Sequence, residues 1–293
     1  AHMRIRTILL QGSSVKSLTF LGDMFDGVQC PCILLQLVAT GKPLSTVGMR
    51  IEDRTRTFII AMERTVVPEN FSFRMTDEEY RVLEKIKNSI PVCYLADHAD
   101  FALGIVTGNN KKFLSAEKTE HSEMVLKGTD ICKYHINPAK QYLRFEPEQF
   151  QQVAPLEIYR APEKLLYRFI SNQLVVAYDD RQMLSLNSCN IVIPKIEGMQ
   201  IKYILAILNS SVSQFVYQKE FHSIKVLRAH MEHIPIPRVG KAIQNEIIAM
   251  TEPLICGMEK EAAETCQKRL DCRIMDLFRL SAEEQWIIRH ALH

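Results

Sequence analysis

The sequence lacks an excess of charge of either sign: 36 Lys and Arg stand against 34 Asp and Glu, a formal net charge of +2 over 293 residues. That balance excludes a protein that binds nucleic acid by bulk electrostatics, so any basic footprint has to be local. No apolar run approaches the about 20 residues that a helix needs to cross a bilayer. No signal-peptide pattern follows Ala1-His2-Met3, which reads as the remnant of a tag before an internal start, so the chain is expected to be a fragment. The eight cysteines, at positions 30, 32, 93, 132, 189, 256, 266 and 272, form no Cys-x-x-Cys pair. Their scatter argues against a zinc site and for a reduced, cytoplasmic protein. Cys30-Pro31-Cys32 heads an apolar run, so these two thiols are expected to be buried. Internal repeats and low-complexity segments are absent too. At 47% apolar residues the chain can still bury a large core, divided into two or three units.

What is present centres on residues 101–114. The apolar run Phe101-Ala102-Leu103-Gly104-Ile105-Val106 feeds into Thr107-Gly108-Asn109-Asn110-Lys111-Lys112, and Phe113-Leu114 resume the apolar pattern. Thr, Gly and Asn supply turn geometry that bulkier residues resist. They also set hydroxyl, amide and backbone N–H groups beside two lysines, a combination able to hold phosphate or read a base edge. The same residues equally describe an ordinary hairpin with a polar tip.

Residues 4–74 read as strands, with no cap or turn that predicts a helix longer than two turns. Within them Pro31-Cys32-Ile33-Leu34-Leu35-Gln36-Leu37-Val38 is a nearly continuous apolar run of the kind buried on both faces. Strands without covering helices look like the edge of a larger sheet. Thr76-Asp77-Glu78-Glu79 is a capping box that opens an amphipathic helix through Tyr80, Leu83 and Ile86, closed by Pro91. Short strands follow over residues 142–145, 163–169, 174–178 and 184–193, at spacings that favour antiparallel pairing. Ile204, Leu205, Leu208, Val212, Phe215 and Val216 then form a single helical stripe. Beyond Ile234-Pro235-Ile236-Pro237 the chain is helical, with Pro253 expected to kink or restart a helix and Ser281-Ala282-Glu283-Glu284 opening the last one.

Six stretches in fixed order carry a family resemblance. The first three are Gly104-Ile105-Val106-Thr107-Gly108-Asn109-Asn110-Lys111-Lys112-Phe113, Lys127-Gly128-Thr129-Asp130-Ile131 and Pro162-Glu163-Lys164-Leu165-Leu166-Tyr167-Arg168. Leu186-Asn187-Ser188, Leu205-Ala206-Ile207-Leu208-Asn209-Ser210 and His233-Ile234-Pro235-Ile236-Pro237 complete the set. Together they resemble the C-terminal third of adenine-specific DNA methyltransferases of restriction-modification systems, specifically the TaqI-like C-terminal specificity, or target-recognition, domain. The resemblance implies an α+β chain. Residues 1–75 would be a strand-rich remnant of a methyltransferase sheet and 76–91 a linking helix. Residues 92–238 would form a mixed, mainly antiparallel target-recognition domain, with a helical extension over 239–293.

The departure from the family is equally informative. The catalytic Asn/Asp-Pro-Pro-Tyr/Phe motif is absent, the nearest text being Asn137-Pro138-Ala139-Lys140, and so is the Gly-rich turn for S-adenosylmethionine. A flipped base needs an aromatic platform and polar acceptors, and the cofactor needs a strand-end crevice. The expected role is therefore DNA recognition without catalysis or cofactor in this chain. Its partners would be double-stranded DNA and the missing methyltransferase domain of a bacterial type II parent that uses S-adenosylmethionine and is possibly fused to an endonuclease; no membrane is involved. Expected DNA contacts are Thr107, Gly108, Asn109, Asn110, Lys111 and Lys112, then Lys127, Asp130 and Lys133, with Asp130 alternatively capping its own turn. Lys164 and Arg168, four apart on a strand, would form a basic pair facing DNA. Asn187 and Ser188 contact bases or close a turn. His222, His230 and His233 lack the Glu partner of a metalloprotease motif and read as surface or DNA-facing groups. The competing reading is a protein-interaction module that docks a partner subunit through apolar stripes of the C-terminal helices.

Overall fold

A helix, α1 (His2–Gly12), opens the chain where the sequence reads as strand. Its Met, Arg, Leu and Gln residues favour helix, but no N-terminal cap announces it, which is why three turns were not legible. Four strands follow: β1 (Ser13–Asp23), β2 (Pro31–Ala39), β3 (Arg50–Glu52) and β4 (Thr57–Ile59). They form a mixed sheet in the order β2-β1-β3-β4, with β1 antiparallel to β2 and parallel to β3. Val15, Leu18, Met49, Ile51, Ile60 and Phe73 make its core. This computed structural model describes residues 2–28, 30–68, 72–221 and 223–292, and the chain divides into two units, Ala1–Leu83 and Glu84–His293.

The expected two-sided burial of the run at 31–38 does not occur within this chain. β2 is an edge strand, and Ile33, Leu34, Leu37 and Val38 are all exposed. Ile33 and Leu34 are consecutive and so face opposite sides of the sheet, so each face of β2 carries exposed apolar residues, although Leu35 packs against the core. The thiols at its head are corrected with it: Cys30 is exposed and Cys32 only half-buried, because no second layer lies over them.

Helix α2 (Asp77–Asn88) starts as its capping box predicts. The Thr76 N–H donates to Glu79 Oε2 at 2.9 Å, and the Glu79 N–H donates to Thr76 Oγ1 at 3.3 Å. The division between the two units falls inside this helix, after Leu83.

The second unit contains β5 (Val92–Cys93), β6 (Ala99–Ala102), α3 (Asn110–Phe113), β7 (Leu114–Ser115), β8 (Glu123–Leu126) and β9 (Tyr142–Leu143). It continues with α4 (Leu156–Tyr159), β10 (Lys164–Arg168), β11 (Val176–Asp179), β12 (Leu184–Ser185), β13 (Cys189–Pro194), α5 (Ile201–Asn209), α6 (Ser211–Glu220), α7 (Arg228–Glu232) and β14 (Ile236–Pro237). Helices α8 (Lys241–Cys256), α9 (Lys260–Leu277) and α10 (Ala282–Ala291) end the chain. One sheet, β11-β10-β13-β6, is antiparallel throughout; a second, β12-β8-β9-β7, is mixed through the parallel pair β12–β8. The class is therefore α+β, mainly antiparallel in this unit. Ile105, Val125, Leu126, Leu143, Leu166 and Ile191 lie in the core between these elements.

The stripe read as one helix over residues 201–219 is two. Asn209 turns its amide onto β11, accepting from the Val176 N–H at 3.0 Å and donating to the Val176 carbonyl at 2.8 Å. Ser210 then caps α6 through its Oγ, which accepts from the Ser213 N–H at 3.2 Å. Residues 203–209 are all buried, as expected of a helix that is apolar all round. Helix α5 packs on β10 and β11 and on α8, while α9 and α10 pack on α6. Their apolar positions, Ile247, Leu254, Leu270, Ile274, Met275 and Ile288, are buried there. The C-terminal stripes thus serve the unit's own core, and residues 92–238 and 239–293 share one unit. Pro253 does not restart the helix: it sits in the last turn of α8, which ends three residues later at Cys256 and is capped by Gly257, whose φ is +84°.

Candidate nucleic-acid interface

Three chain segments meet at one edge of the second unit. The Ile105 N–H donates to the Ser185 carbonyl at 2.7 Å, and the Asn187 N–H donates to the Ile105 carbonyl at 3.1 Å. On the other side, Val106 and Gln152 exchange both backbone bonds, at 2.8 and 3.1 Å. Two glycines make the approach possible. A Cβ on Gly104 would lie 2.2 Å from the Leu186 carbonyl oxygen, and one on Gly128 would lie 2.4 Å from that of Ser188. No larger residue fits either place without moving the backbone.

The loop at 107–112 is not a hairpin tip but a single helical turn. Asn109 is the N-cap of α3, its Oδ1 accepting from the Lys112 N–H at 3.3 Å. Thr107 is buried, and its hydroxyl donates to Asn110 Oδ1 at 2.6 Å. The Phe113 ring anchors the turn edge-on against Phe150, with centroids 5.4 Å apart. Of the expected contacts here, Thr107 is a structural pin and is corrected on that ground. Gly108, Asn109, Asn110, Lys111 and Lys112 remain exposed.

Most of the charged residues picked from sequence are internal framework. Lys164 is wholly buried; its ammonium donates to Asp179 Oδ2 at 2.5 Å and to the Tyr159 carbonyl at 2.7 Å. Burial pushes the Lys164 ammonium below the usual lysine range, and the Asp179 charge opposes that shift. It cannot reach a phosphate. Arg168 lies under the Gly128 turn, donating from Nε to the Gly128 carbonyl at 2.8 Å and from Nη2 to the Ile131 carbonyl at 2.6 Å. Asp130 caps that turn, accepting from the Lys127 N–H at 2.8 Å, and Ser188 Oγ accepts from the Gly128 N–H at 3.0 Å. Lys133 reaches the Asn209 carbonyl at 3.0 Å; burial lowers its pKa, with Asp271 opposing. Arg168, Asp130 and the Ser188 hydroxyl therefore hold the turn at 127–131, while Lys164 and Lys133 are bonded into the interior of the unit. Lys127 is half-buried and Asn187 is exposed.

Sequence reasoning missed three exposed polar residues beside this edge, Thr129, Gln151 and Gln152. Gln151-Gln152 directly follow Phe150, a pattern that signals only the end of an apolar stretch. Their position depends on the non-local pairing with Val106. Among the histidines, His230 is buried, its Nδ1 accepting from the Leu227 N–H at 3.2 Å and its ring stacked on Phe221 at 4.5 Å. Burial lowers its pKa, so it is a core group and not a DNA-facing one. His222 lies outside the described residues.

The lining can offer cations on flexible stems at Lys111 and Lys112, and amides at Asn110, Gln151, Gln152 and Asn187, on a rigid floor. Lysines neutralise phosphates and amides pair with base edges. Among the described residues no helix is long and apolar enough to cross a membrane.

Residues 123–236 match the family of TaqI-like C-terminal specificity domains, which bears out the resemblance drawn from the sequence over that segment. The loop at 107–112 precedes the matched segment. No curated protein matches the chain in sequence. Among solved structures the chain is similar to the Type IIL restriction-modification enzyme MmeI in complex with DNA, at 10% identity and a TM-score of 0.58, covering 96% of this chain and 45% of that one. Looser likenesses are to the type IIG restriction endonuclease BpuSI (11% identity, TM-score 0.45, 99% and 44% covered) and to the HsdS subunit from Thermoanaerobacter tengcongensis (14%, 0.38, 74% and 50%). The likeness to MmeI is one of fold. The chain spans about half the length of the structures it matches.

Proposed function

We propose that this chain, whose residues 123–236 form a TaqI-like C-terminal specificity domain, recognises a short DNA sequence on behalf of a larger bacterial, cytoplasmic restriction-modification enzyme. The observation that carries the reading is the division of labour at one edge. Arg168 and Asp130 hold the backbone of residues 127–131, and backbone hydrogen bonds tie Ile105 and Val106 to Ser185, Asn187 and Gln152, while exposed lysines and amides stand beside them. Lysines at 111 and 112 set register on phosphates, and side chains beside them read base edges. A rigid floor suits this task, since the reading groups can vary without disturbing the core.

The parent would be an adenine-specific methyltransferase that uses S-adenosylmethionine, with or without a fused endonuclease. The residues present do not fit that cofactor. At the C-terminal end of β1, the Arg54 guanidinium lies over Gly22 and donates to the Leu21 carbonyl at 3.1 Å, so this strand end offers no cradle. The exposed apolar residues of β2 favour a second role for the first unit. They are where the remaining layers of the parent's methyltransferase domain would pack, Ile33, Leu34, Leu37 and Val38 being buried in that assembly. This is favoured over docking through the C-terminal helices, most of whose apolar stripe is covered, Met258 and Trp286 being exposed.

Hydrogen exchange with and without a random-sequence duplex at low salt tests the reading. Protection is expected in peptides spanning 105–113, 150–153 and 185–189. Binding without protection there would contradict it.

A further inference from the structure

The exposed amides beside the edge differ from the four buried amides of the same unit that hold its framework. Asn209 is bonded to Val176, Gln214 accepts from the Leu174 N–H at 2.8 Å, Gln244 accepts from the Gln200 N–H at 2.8 Å, and Asn190 accepts from the Gly104 N–H at 3.3 Å. These four are buried, and each has a framework task. Gln151, Gln152 and Asn187 have none. Their side chains are exposed and make no hydrogen bond within the described residues, although the backbones of Gln152 and Asn187 are bonded to Val106 and Ile105.

Their backbones are also contiguous. Gln152 pairs with Val106, Asn187 bonds to Ile105, and Gln151 lies against Gly108, its Cβ 3.4 Å from where a Cβ on that glycine would sit. Two neighbouring strand spacings of about 4.8 Å put Gln152 and Asn187 roughly 10 Å apart across the edge. That distance spans about three base steps of roughly 3.4 Å each. An amide offers one donor and one acceptor side by side, which matches the N6 and N7 of adenine in the major groove.

We infer that Gln151, Gln152 and Asn187 are the base-reading side chains of this edge, and that the sequence selected contains adenine at the positions they reach. The inference rests on the DNA-recognition reading above and deepens it. It moves sequence choice from the lysines, Asn109 and Asn110 to three amides, leaving Lys111 and Lys112 as phosphate contacts.

The test is selection by this chain from a randomised duplex pool, followed by sequencing, repeated with Gln151→Ala, Gln152→Ala, Asn187→Ala and the double variant Lys111→Ala/Lys112→Ala. All five side chains are exposed, and a thermal melt checks that each variant folds. The wild-type chain is expected to enrich a motif containing adenine. Each amide variant should lose preference at one position by about five- to 150-fold, the value of one bidentate base contact, with its salt dependence unchanged. The lysine variant should keep the motif and lower the logarithmic salt slope by about 1.8, two phosphate contacts' worth. Amide variants that retain the full motif overturn the inference, as does a lysine variant that changes it. Salt-dependent binding with no enriched motif overturns it while leaving DNA binding intact. Absence of any binding at low salt removes the function reading as well.

Discussion

β2 of the first unit and β10 of the second are both rich in apolar residues, yet they meet opposite fates. β2 carries Ile33, Leu34, Leu37 and Val38 on exposed positions, whereas Lys164, Leu165, Leu166 and Tyr167 of β10 are all buried, the lysine included. The difference lies in layers rather than in residues. β10 sits between β11 and β13 with helix α5 packed against it, while β2 is an edge strand. Apolar composition gives the demand for burial, and only a neighbouring layer meets it. In the second unit that burial extends to a charged pair, which turns a residue chosen from sequence as a DNA contact into part of the frame.

The largest effect should come from breaking that pair. Asp179→Asn leaves Lys164 as a buried charge without its counter-ion and should destabilise the second unit by about 3–5 kcal/mol, measured by urea unfolding. An unchanged midpoint would remove the framework claim. The same truncation in both strands sharpens the contrast. Leu166→Ala should cost about 2–5 kcal/mol, but Leu34→Ala should stay within about 0.5 kcal/mol in this chain.

Next come two glycines. Gly104→Ala forces a Cβ to 2.2 Å from the Leu186 carbonyl, so a loss of about 1–3 kcal/mol is expected, together with loss of DNA binding through the displaced edge. Gly48, at φ +83° with open space around it, should cost only the left-handed strain of about 1–2 kcal/mol on substitution by alanine and leave DNA binding intact. Equal binding by both variants would contradict the placement of the site.

Acid should separate the units more gently. In the first unit the Asp77 carboxyl is held below the usual range: burial acts to raise it, but the Arg64 hydrogen bond, the Ala61 N–H and the Arg64 and Arg81 charges outweigh that. Glu63 is lowered by the Thr46 N–H and the Ser45 hydroxyl, with burial opposing. Folded values below the unfolded ones mean stability that is present above about pH 4 and lost as pH falls through the lowered values. In the second unit Glu246 is lowered by the Arg273 hydrogen bond and Glu284, against burial, by the Lys85 hydrogen bond, but burial raises the Asp271 carboxyl, with the Ser211 N–H opposing. Its charged form is a cost above the raised value, relieved as pH falls. Pepsin digestion between pH 4 and pH 2 should therefore release fragments of residues 1–83 first.

Local signals were legible in the sequence. The Thr76 and Ser281 capping boxes form as read, because each is completed within four residues. The strands at 142–143, 164–168, 176–179 and 189–194 follow from short apolar runs between turn residues. Helix α1 was hidden because no cap precedes it. The break at Ser210 was hidden because Asn209 answers to β11, 33 residues earlier. The buried members of the site were hidden for the same reason. Nothing local distinguishes Lys164, whose counter-ion is 15 residues away, from Lys111, which is exposed. Gln152 gains its place only by pairing with Val106.

The most direct test of the account is the salt dependence of binding to duplex DNA, by fluorescence anisotropy, for the wild-type chain and for Lys111→Ala/Lys112→Ala. The wild-type affinity should fall steeply with salt, and the double variant should lower the logarithmic slope by about 1.8, two phosphate contacts' worth. A slope unchanged by the double variant, or binding without salt dependence, would contradict a DNA interface at this edge.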